Sequence, residues 1–252
     1  MAAAINSSPV QREPDLLGQT ILVIGGSSGI GLETARLARA QGADIILTAR
    51  NPDRLHHAGL ELGASIAAFD ATDFDRLGQF FDALPTPIDH LLVTGPGLYY
   101  ARLTEFDLDA ARRAVDAHLL LPLPVARHAA SKVRPPGTLL FMGGSGGRRC
   151  AAEGRAFSGA LTAALPALTK ALALEVAPVR VNLIAAGFVD TPLSASLLGD
   201  EIDERRAQLS ATLPIGRAVG PADIAALAVH LMTNTAVTGA TFDIDGGQQL
   251  EG

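Results

Sequence analysis

The chain has 252 residues, a formal net charge of −6 and a single cysteine, Cys150. This length fits one large α/β domain. The acidic balance argues against binding to a nucleic-acid backbone. One cysteine excludes an internal disulfide framework and a cysteine-based zinc cluster, and we expect no metal. Hydrophobic residues make up 48% of the chain, which is ample for a buried core.

Residues 1–16 are expected to form a flexible tail. They contain no charged segment followed by a long apolar run. We therefore expect no signal peptide, no membrane segment and a cytoplasmic location. A single dinucleotide-binding domain is expected over residues 17–252.

Short apolar runs predict strands that are buried on both faces, as in a parallel sheet. These runs are 20–25, 44–49, 65–70, 89–94, 138–143, 179–185 and 241–245. Between them, amphipathic or buried helices are predicted at 31–42, 104–132, 151–177 and 221–234. The alternation predicts an α/β fold with one seven-stranded, doubly wound parallel sheet and helices on both faces.

A glycine-rich turn, "GGSSGIG" at 25–31, connects the first strand to the first helix. Gly25, Gly29 and Gly31 permit a tight turn and a close approach between the backbone and a phosphate. The start of the helix offers free N–H groups to a pyrophosphate. The turn therefore predicts a Rossmann fold that binds a dinucleotide.

The second strand ends at Arg50 without an acidic residue, and Arg54 follows. An acid there would bind the ribose hydroxyls of NAD, whereas a guanidinium suits the 2′-phosphate of NADP. The sequence thus favours NADP(H) over NAD(H), and the alternative is two solvated arginines at a helix start.

Over residues 16–250 the chain resembles the short-chain dehydrogenase/reductase family. The segments that carry the resemblance are "GGSSGIG" (25–31), "DATD" (70–73), "LTKALALEVAPVRVNLIAAGFVDTPL" (168–193) and "PIGRAVGPADIAALAVHLMTNTAVTGATFDIDGG" (214–247).

The resemblance implies contacts for each part of the cofactor. With the glycine turn, Ser27, Ser28 and Ile30 would hold the phosphates and ribose. The adenine would lie against Asp70 and Ala71. The nicotinamide carboxamide would be received by Gly187, Val189 and Thr191.

One loop departs from the family, which has Asn-Asn-Ala-Gly after the fourth strand. Here the residues are Thr94-Gly95-Pro96-Gly97. Gly95 and Gly97 keep a close-approach loop, but the two bracing amides are absent, so a less rigid loop is expected.

The family reduces carbonyls with a Tyr-x-x-x-Lys pair, an upstream serine and an asparagine on the fourth helix. The downstream run "LTKALALEVAPVRVN" aligns Phe157 with the tyrosine and Leu161 with the lysine. Gly144 and His118 stand at the serine and asparagine positions. Since Tyr99 and Tyr100 are the only tyrosines, no other alignment restores the motif.

Three interpretations remain. The first is a redox enzyme with another proton donor: His118 and Ser145 are the favoured candidates, and Tyr99 and Tyr100 are less favoured. Such an enzyme could also act on an iminium or conjugated substrate that needs no proton donor. Arg148, Arg149 and Arg155 are further candidates, which could contact an anionic group of a substrate. The second is a non-catalytic NADP(H) binder that acts as a sensor or partner subunit, and the third is another reaction on the same fold.

A mobile substrate lid is expected at about 191–217, by resemblance to the family. Its apolar residues, Leu193, Leu197, Leu198 and Leu209, would face inward and suggest a small, largely hydrophobic substrate. The family also implies a homodimer or homotetramer, and the alanine- and leucine-rich face of 156–176 suits close helix packing.

Overall fold

The computed structural model describes residues 15–84, 87–95, 97–148 and 154–250, with the backbone alone at 147 and 148. Seven strands form one parallel sheet in the order β3-β2-β1-β4-β5-β6-β7. The bounds are β1 Thr20–Ile24, β2 Asp44–Ala49, β3 Ser65–Ala68, β4 Ile88–Val93, β5 Val133–Gly144, β6 Arg180–Ala186 and β7 Thr241–Ile244. The predicted doubly wound sheet is confirmed.

Nine α-helices lie within the described residues. They are α1 Gly29–Ala40, α2 Pro52–Leu62, α3 Phe74–Ala83, α4 Leu108–Val115, α5 Pro122–Ala129, α6 Ala156–Glu175, α7 Pro192–Leu198, α8 Ile202–Thr212 and α9 Pro221–Thr233. Several begin where the sequence provides a cap. For example, Asn51 accepts a hydrogen bond from the Arg54 N–H, and Pro52 follows at the first helical position.

The helical segment predicted over 104–132 consists of several shorter elements. A 3₁₀ turn at Leu103–Glu105 is followed by α4, a π-helical segment at Asp116–Leu120 and α5. Asp107 starts α4 because its carboxylate accepts from the Asp109 and Ala110 N–H groups. Pro122 then begins α5, where its missing N–H costs no helical hydrogen bond.

The core lies on both faces of the sheet because side chains alternate along each strand. On β1, Ile21 and Val23 pack toward one face, which α1 and α9 cover. Leu22 and Ile24 pack toward the other, with Phe81 of α3 among their neighbours. Leu16, the last residue of the predicted tail, is buried in the first of these cores, and residues 1–14 lie outside the described residues.

One helix, α6, is long and apolar enough to cross a membrane by length and composition alone. It packs against β6, and its own residues Leu161, Leu165 and Leu172 are buried. Its apolar character therefore has a use inside the fold.

The chain order of the sheet reverses between β1 and β4, which are neighbours although β2 and β3 come between them in sequence. In open α/β sheets, ligands bind at the carboxyl ends of the strands beside this reversal. The fold thus directs attention to the residues that follow β1 and β4.

Candidate active site

Gly25, the first residue after β1, makes the glycine turn possible. Its φ of +90° lies in the region that favours glycine, and a Cβ there would overlap Thr94. A Cβ on Gly31 would overlap the Gly25 carbonyl. Both positions require glycine because the backbone itself comes too close.

The start of α1 is open toward this turn. Ser28 precedes the helix without capping it through its side chain, and the first turn contains no acidic residue. The first N–H groups of α1 and its positive dipole end are therefore available to an anion. Gly29 faces the loop after β6, since a Cβ on it would lie 3.6 Å from the Thr191 Cβ. Ser27 and Ile30 are half-buried beside it.

Two arginines follow β2 at the same edge of the sheet. Arg50 and Arg54 are both exposed, and neither guanidinium forms an ion pair with any residue that the structure describes. After β3, the Asp70 carboxylate accepts from the Thr72 N–H at 2.9 Å and its hydroxyl at 2.8 Å, and Ala71 contacts the core. This donor set and the open α1 terminus fit a phosphorylated dinucleotide.

The loop after β4 is better braced than its sequence suggests. The Thr94 hydroxyl donates to the carbonyls of Ile24 and Gly25, at 3.1 Å each, and so ties β4 to the glycine turn. This hydroxyl replaces part of the missing amide bracing at the start of the loop, and the expectation of a less rigid loop stays a prediction. Pro96 lies outside the described residues.

Gly95 and Gly97 face the two sides of the site. A Cβ on Gly95 would lie 3.0 Å from the His118 Cε1, and one on Gly97 would lie 3.1 Å from the Leu197 Cδ1. His118, in the π-helical segment, is buried with 8% of its surface exposed. The structure therefore brings His118 to the loop after β4, as its sequence position predicts.

The loop after β6 is held by its neighbours. The Phe188 N–H donates to the Gln248 Oε1 at 3.1 Å, and Val189 forms a bridge with Val219. Gly187 lies so close to Asp245 and Gln248 that a Cβ would be 2.6 Å from each. These contacts fix the loop that sequence analysis assigns to the carboxamide.

Thr191 ends this loop and begins α7. Its hydroxyl accepts from the Ser194 N–H at 3.2 Å and so caps the helix. Asp190 beside it forms two hydrogen bonds of 2.8 Å with the Arg206 guanidinium of α8. The Asp190–Arg206 pair attaches α8 to the loop after β6.

Of the four lid leucines expected to face inward, only Leu209 is fully buried. The exposed fractions of Leu193 and Leu197 are 43% and 64%, because they sit over Gly97 at the mouth of the site and not in the core. Leu198 is half-buried.

Phe157 belongs to a cluster of three aromatic rings. Its centroid lies 6.0 Å from that of Tyr99 and 5.6 Å from that of Phe106, both edge-on. The Tyr99 hydroxyl accepts from the Asp107 N–H at 2.7 Å, at the start of α4. Tyr99 thus ties the loop after β4 to the start of α4, and Phe106 was missed because nothing in its sequence neighbourhood links it to α6.

Leu161, Gly144 and the neighbouring Ser145 lie in packed surroundings. Leu161 is 5% exposed inside α6. A Cβ on Gly144 would lie 3.2 Å from both Leu98 and Thr162. Ser145 is buried in the 3₁₀ turn that follows β5, beside a cavity of about 160 Å³.

The remaining candidates are Tyr100 and the arginines. Desolvation raises the pKa of Tyr100, and the charge of Arg155 acts in the opposite direction. Arg149 and Cys150 lie outside the described residues, as does the side chain of Arg148.

Comparison with known proteins identifies the class. The family model described as "Enoyl-(Acyl carrier protein) reductase" matches residues 24–249. The short-chain dehydrogenase/reductase ATR9 of Stachybotrys chlorohalonatus is 30% identical over 94% of this chain and 100% of its own. The cis-4-hydroxycyclohexanecarboxylate dehydrogenase of Sinomonas cyclohexanicum is 32% identical over 90% of this chain and 94% of its own.

Solved structures agree with this class. A small-chain dehydrogenase in complex with NADPH has a TM-score of 0.79 and 26% identity, over 92% of this chain and 99% of that one. The MalC reductase/Diels-Alderase of Malbranchea aurantiaca has a TM-score of 0.86 over 95% of this chain and 99% of that one, at 24% identity, a likeness of fold. The chain belongs to the short-chain dehydrogenase/reductase family, and its relatives include oxidoreductases.

Proposed function

We propose that this protein is an NADP(H)-dependent oxidoreductase with a non-standard active site. The observation that carries the proposal is the open N-terminus of α1 at the sheet reversal, beside the unpaired guanidiniums of Arg50 and Arg54. The arginines support a preference for the 2′-phosphate over an unphosphorylated ribose. The NADPH complex of a relative is consistent with this preference.

The roles of the remaining residues follow from their positions. The N–H groups of α1 would bind the pyrophosphate, and the loop from Gly187 to Thr191 would orient the nicotinamide. When bound, the nicotinamide supplies or accepts a hydride. Phe157 and Leu161 would exclude water from that hydride but have neither a proton to give nor a charge.

An acceptor that needs no proton from the protein therefore suits this site best. Hydride addition to an iminium carbon gives the neutral amine directly, with no proton transfer. A conjugated acceptor becomes an enolate that takes its proton from water. A simple carbonyl would need His118 or Ser145 as the donor, and both are buried at the site.

The walls of the site favour a small, largely hydrophobic substrate. Leu98 lies against Gly144, while Leu193 and Leu197 cover Gly97. One relative is named for cis-4-hydroxycyclohexanecarboxylate and another for a 3β-hydroxysteroid, and both of these molecules contain apolar rings.

The alternative is a catalytically inactive NADP(H) binder that acts as a sensor or partner subunit. The packing of Phe157 favours it, because a ring enclosed by Tyr99 and Phe106 stabilises the fold without chemistry.

Calorimetric titration with NADPH and NADH tests the cofactor half. We expect NADPH to bind at least tenfold more tightly, and absence of nucleotide binding would contradict the proposal. The double variant Phe157→Tyr with Leu161→Lys tests the chemical half, with Phe157→Tyr alone as the matched control.

Ketone reduction should appear in the double variant and not in the wild type. Thermal unfolding checks that the buried lysine is tolerated. Ketone reduction by the wild type at the rate of the double variant would contradict the non-standard site. Tight NADPH binding without turnover of ketones, imines or alkenes would favour the inactive binder.

We also infer a homo-oligomer. Leu174 on α6 is 83% exposed. Leu120, which ends the π-helical segment, and Leu123 in α5 are also exposed, so apolar side chains are left uncovered in one chain. Light scattering should give a dimeric or tetrameric mass, and a monomeric mass would refute the inference.

A further inference from the structure

Arg155 immediately precedes α6, the helix that contains Phe157 and Leu161. Its side chain is half-buried and reaches across to the turn after β5, where its Nη1 lies 3.9 Å from the position of a Cβ on Gly146. Gly146 follows Ser145 in the same 3₁₀ turn. The guanidinium therefore stands between α6 and the segment that contains Gly144 and Ser145.

No carboxylate neutralises this guanidinium among the residues that the structure describes, and it makes no hydrogen bond to them. Other arginines of the chain differ in this respect. Arg134 pairs with Asp89, Arg206 with Asp190 and Arg217 with Asp223, each through short hydrogen bonds. Arg155 is thus a half-buried cation without the partner that comparable arginines have.

The surroundings of Arg155 raise the free-energy cost of its positive charge. The first turn of α6 contains no acidic residue, and the positive end of the helix dipole adds to the charge of Arg155. A second charge of opposite sign would stabilise such a group. The field at the start of α6 therefore favours an anion.

The remaining neighbours limit what the anion is attached to. Arg155 is close enough to Tyr100 to act on its ionisation. Leu98 lies beside Gly144. The aromatic cluster of Tyr99, Phe106 and Phe157 is also close, because Phe157 lies on α6 two residues after Arg155. An anionic group bound to Arg155 would direct the rest of its molecule toward apolar side chains.

We propose that the substrate carries a carboxylate that Arg155 binds, with an apolar body against Leu98 and the aromatic cluster. Arg155 is then a specificity-determining residue, because a planar guanidinium binds a carboxylate through two parallel hydrogen bonds. This inference rests on the proposed function only in assigning the substrate to the same site.

Tyrosine fluorescence offers a readout that is independent of turnover. The chain has no tryptophan, and its two tyrosines, Tyr99 and Tyr100, both flank the site. Titration of the full chain with hexanoate and with hexanamide, its uncharged analogue, compares a carboxylate with an amide on the same apolar body. We expect hexanoate to bind at least tenfold more tightly.

Variants assign the preference to one side chain. Arg155→Gln should abolish the preference for hexanoate, and Arg155→Lys should keep part of it. Arg127→Gln is the matched control, because this exposed arginine lies in the last turn of α5, at the opposite edge of the sheet, and should change nothing. Thermal unfolding of each variant verifies the fold.

Equal binding of the two ligands by the wild type, or binding of neither, would overturn the proposal. So would a preference that survives in Arg155→Gln. Since no nucleotide is present in these titrations, a failure to bind NADPH would contradict the proposed function and leave this test intact.

Discussion

The two halves of the site differ in what their residues are required to do. In the cofactor half, Gly25 and Gly31 are required because backbone atoms occupy the space of a side chain. In the proposed chemical half, Phe157 contacts the rings of Tyr99 and Phe106, and Leu161 is buried. Backbone geometry thus requires glycine in the first half, whereas only side-chain packing constrains these two positions in the second.

Replacement of Gly25 tests the strict half and should have the largest effect. Gly25→Ala should destabilise the fold by about 2–5 kcal/mol, from its positive φ and the overlap with Thr94. Gly18→Ala is the control, since Gly18 has a φ of +71° and open space around it. Its cost should be about 1 kcal/mol. Urea unfolding measures both, and equal costs would show that the overlap is relieved.

Replacement of Phe157 tests the permissive half. Phe157→Ala should cost about 2 kcal/mol of unfolding free energy, because a half-buried ring leaves the cluster with Tyr99 and Phe106. NADPH affinity should stay within about twofold. Lys170→Ala, at an exposed position of the same helix, should change stability by less than about 0.5 kcal/mol. A large loss of NADPH affinity in Phe157→Ala would show that Phe157 helps to shape the nucleotide site and would contradict the independence of the two halves.

Replacement of Arg50 and Arg54, the arginines after β2, tests whether they select the 2′-phosphate of NADPH. The double variant Arg50→Gln with Arg54→Gln should weaken NADPH binding by about 10- to 100-fold, as expected for charge-assisted hydrogen bonds to a phosphate. NADH binding should not change. Arg76→Gln, an exposed arginine on α3, serves as the charge control. If NADPH and NADH weaken together in calorimetric titrations, the arginines do not select the 2′-phosphate.

The smallest effect is expected at Thr94. Thr94→Val keeps the shape but removes the hydroxyl that donates to Ile24 and Gly25, which should cost about 1 kcal/mol. NADPH binding should weaken by a few fold as the turn loosens. Thr104→Val, at an exposed position, should be neutral. Unchanged NADPH affinity in Thr94→Val would mean that the glycine turn needs no brace from β4.

Local signals carried most of what the sequence predicts. Most strands are short apolar runs, and the glycine turn is a contiguous motif, so both can be predicted without knowledge of distant contacts. The first half of β5, Val133–Gly137, was missed because it is polar and contains two prolines. The break at 106–107 was missed although Asp107 has the side chain of a helix cap, because apolar periodicity continues through it.

Long-range contacts account for what could not be predicted. Phe106 and Phe157 are far apart in sequence and meet only in the folded chain. Gln248 reaches the loop after β6 for the same reason, and Arg206 reaches Asp190 from another helix. The brace from Thr94 depends on β1 and β4 being neighbours, which the topology determines and the residue type does not.

Single-turnover oxidation of NADPH tests the central claim most directly, that the nucleotide site is intact while the site beside it gives no proton. The enzyme loaded with NADPH is mixed with a preformed cyclic iminium or with the ketone of the same carbon skeleton, and loss of NADPH absorbance is followed. We expect the iminium to oxidise the bound NADPH and the ketone not to do so. Equal rates with both, or no oxidation with either, would contradict it.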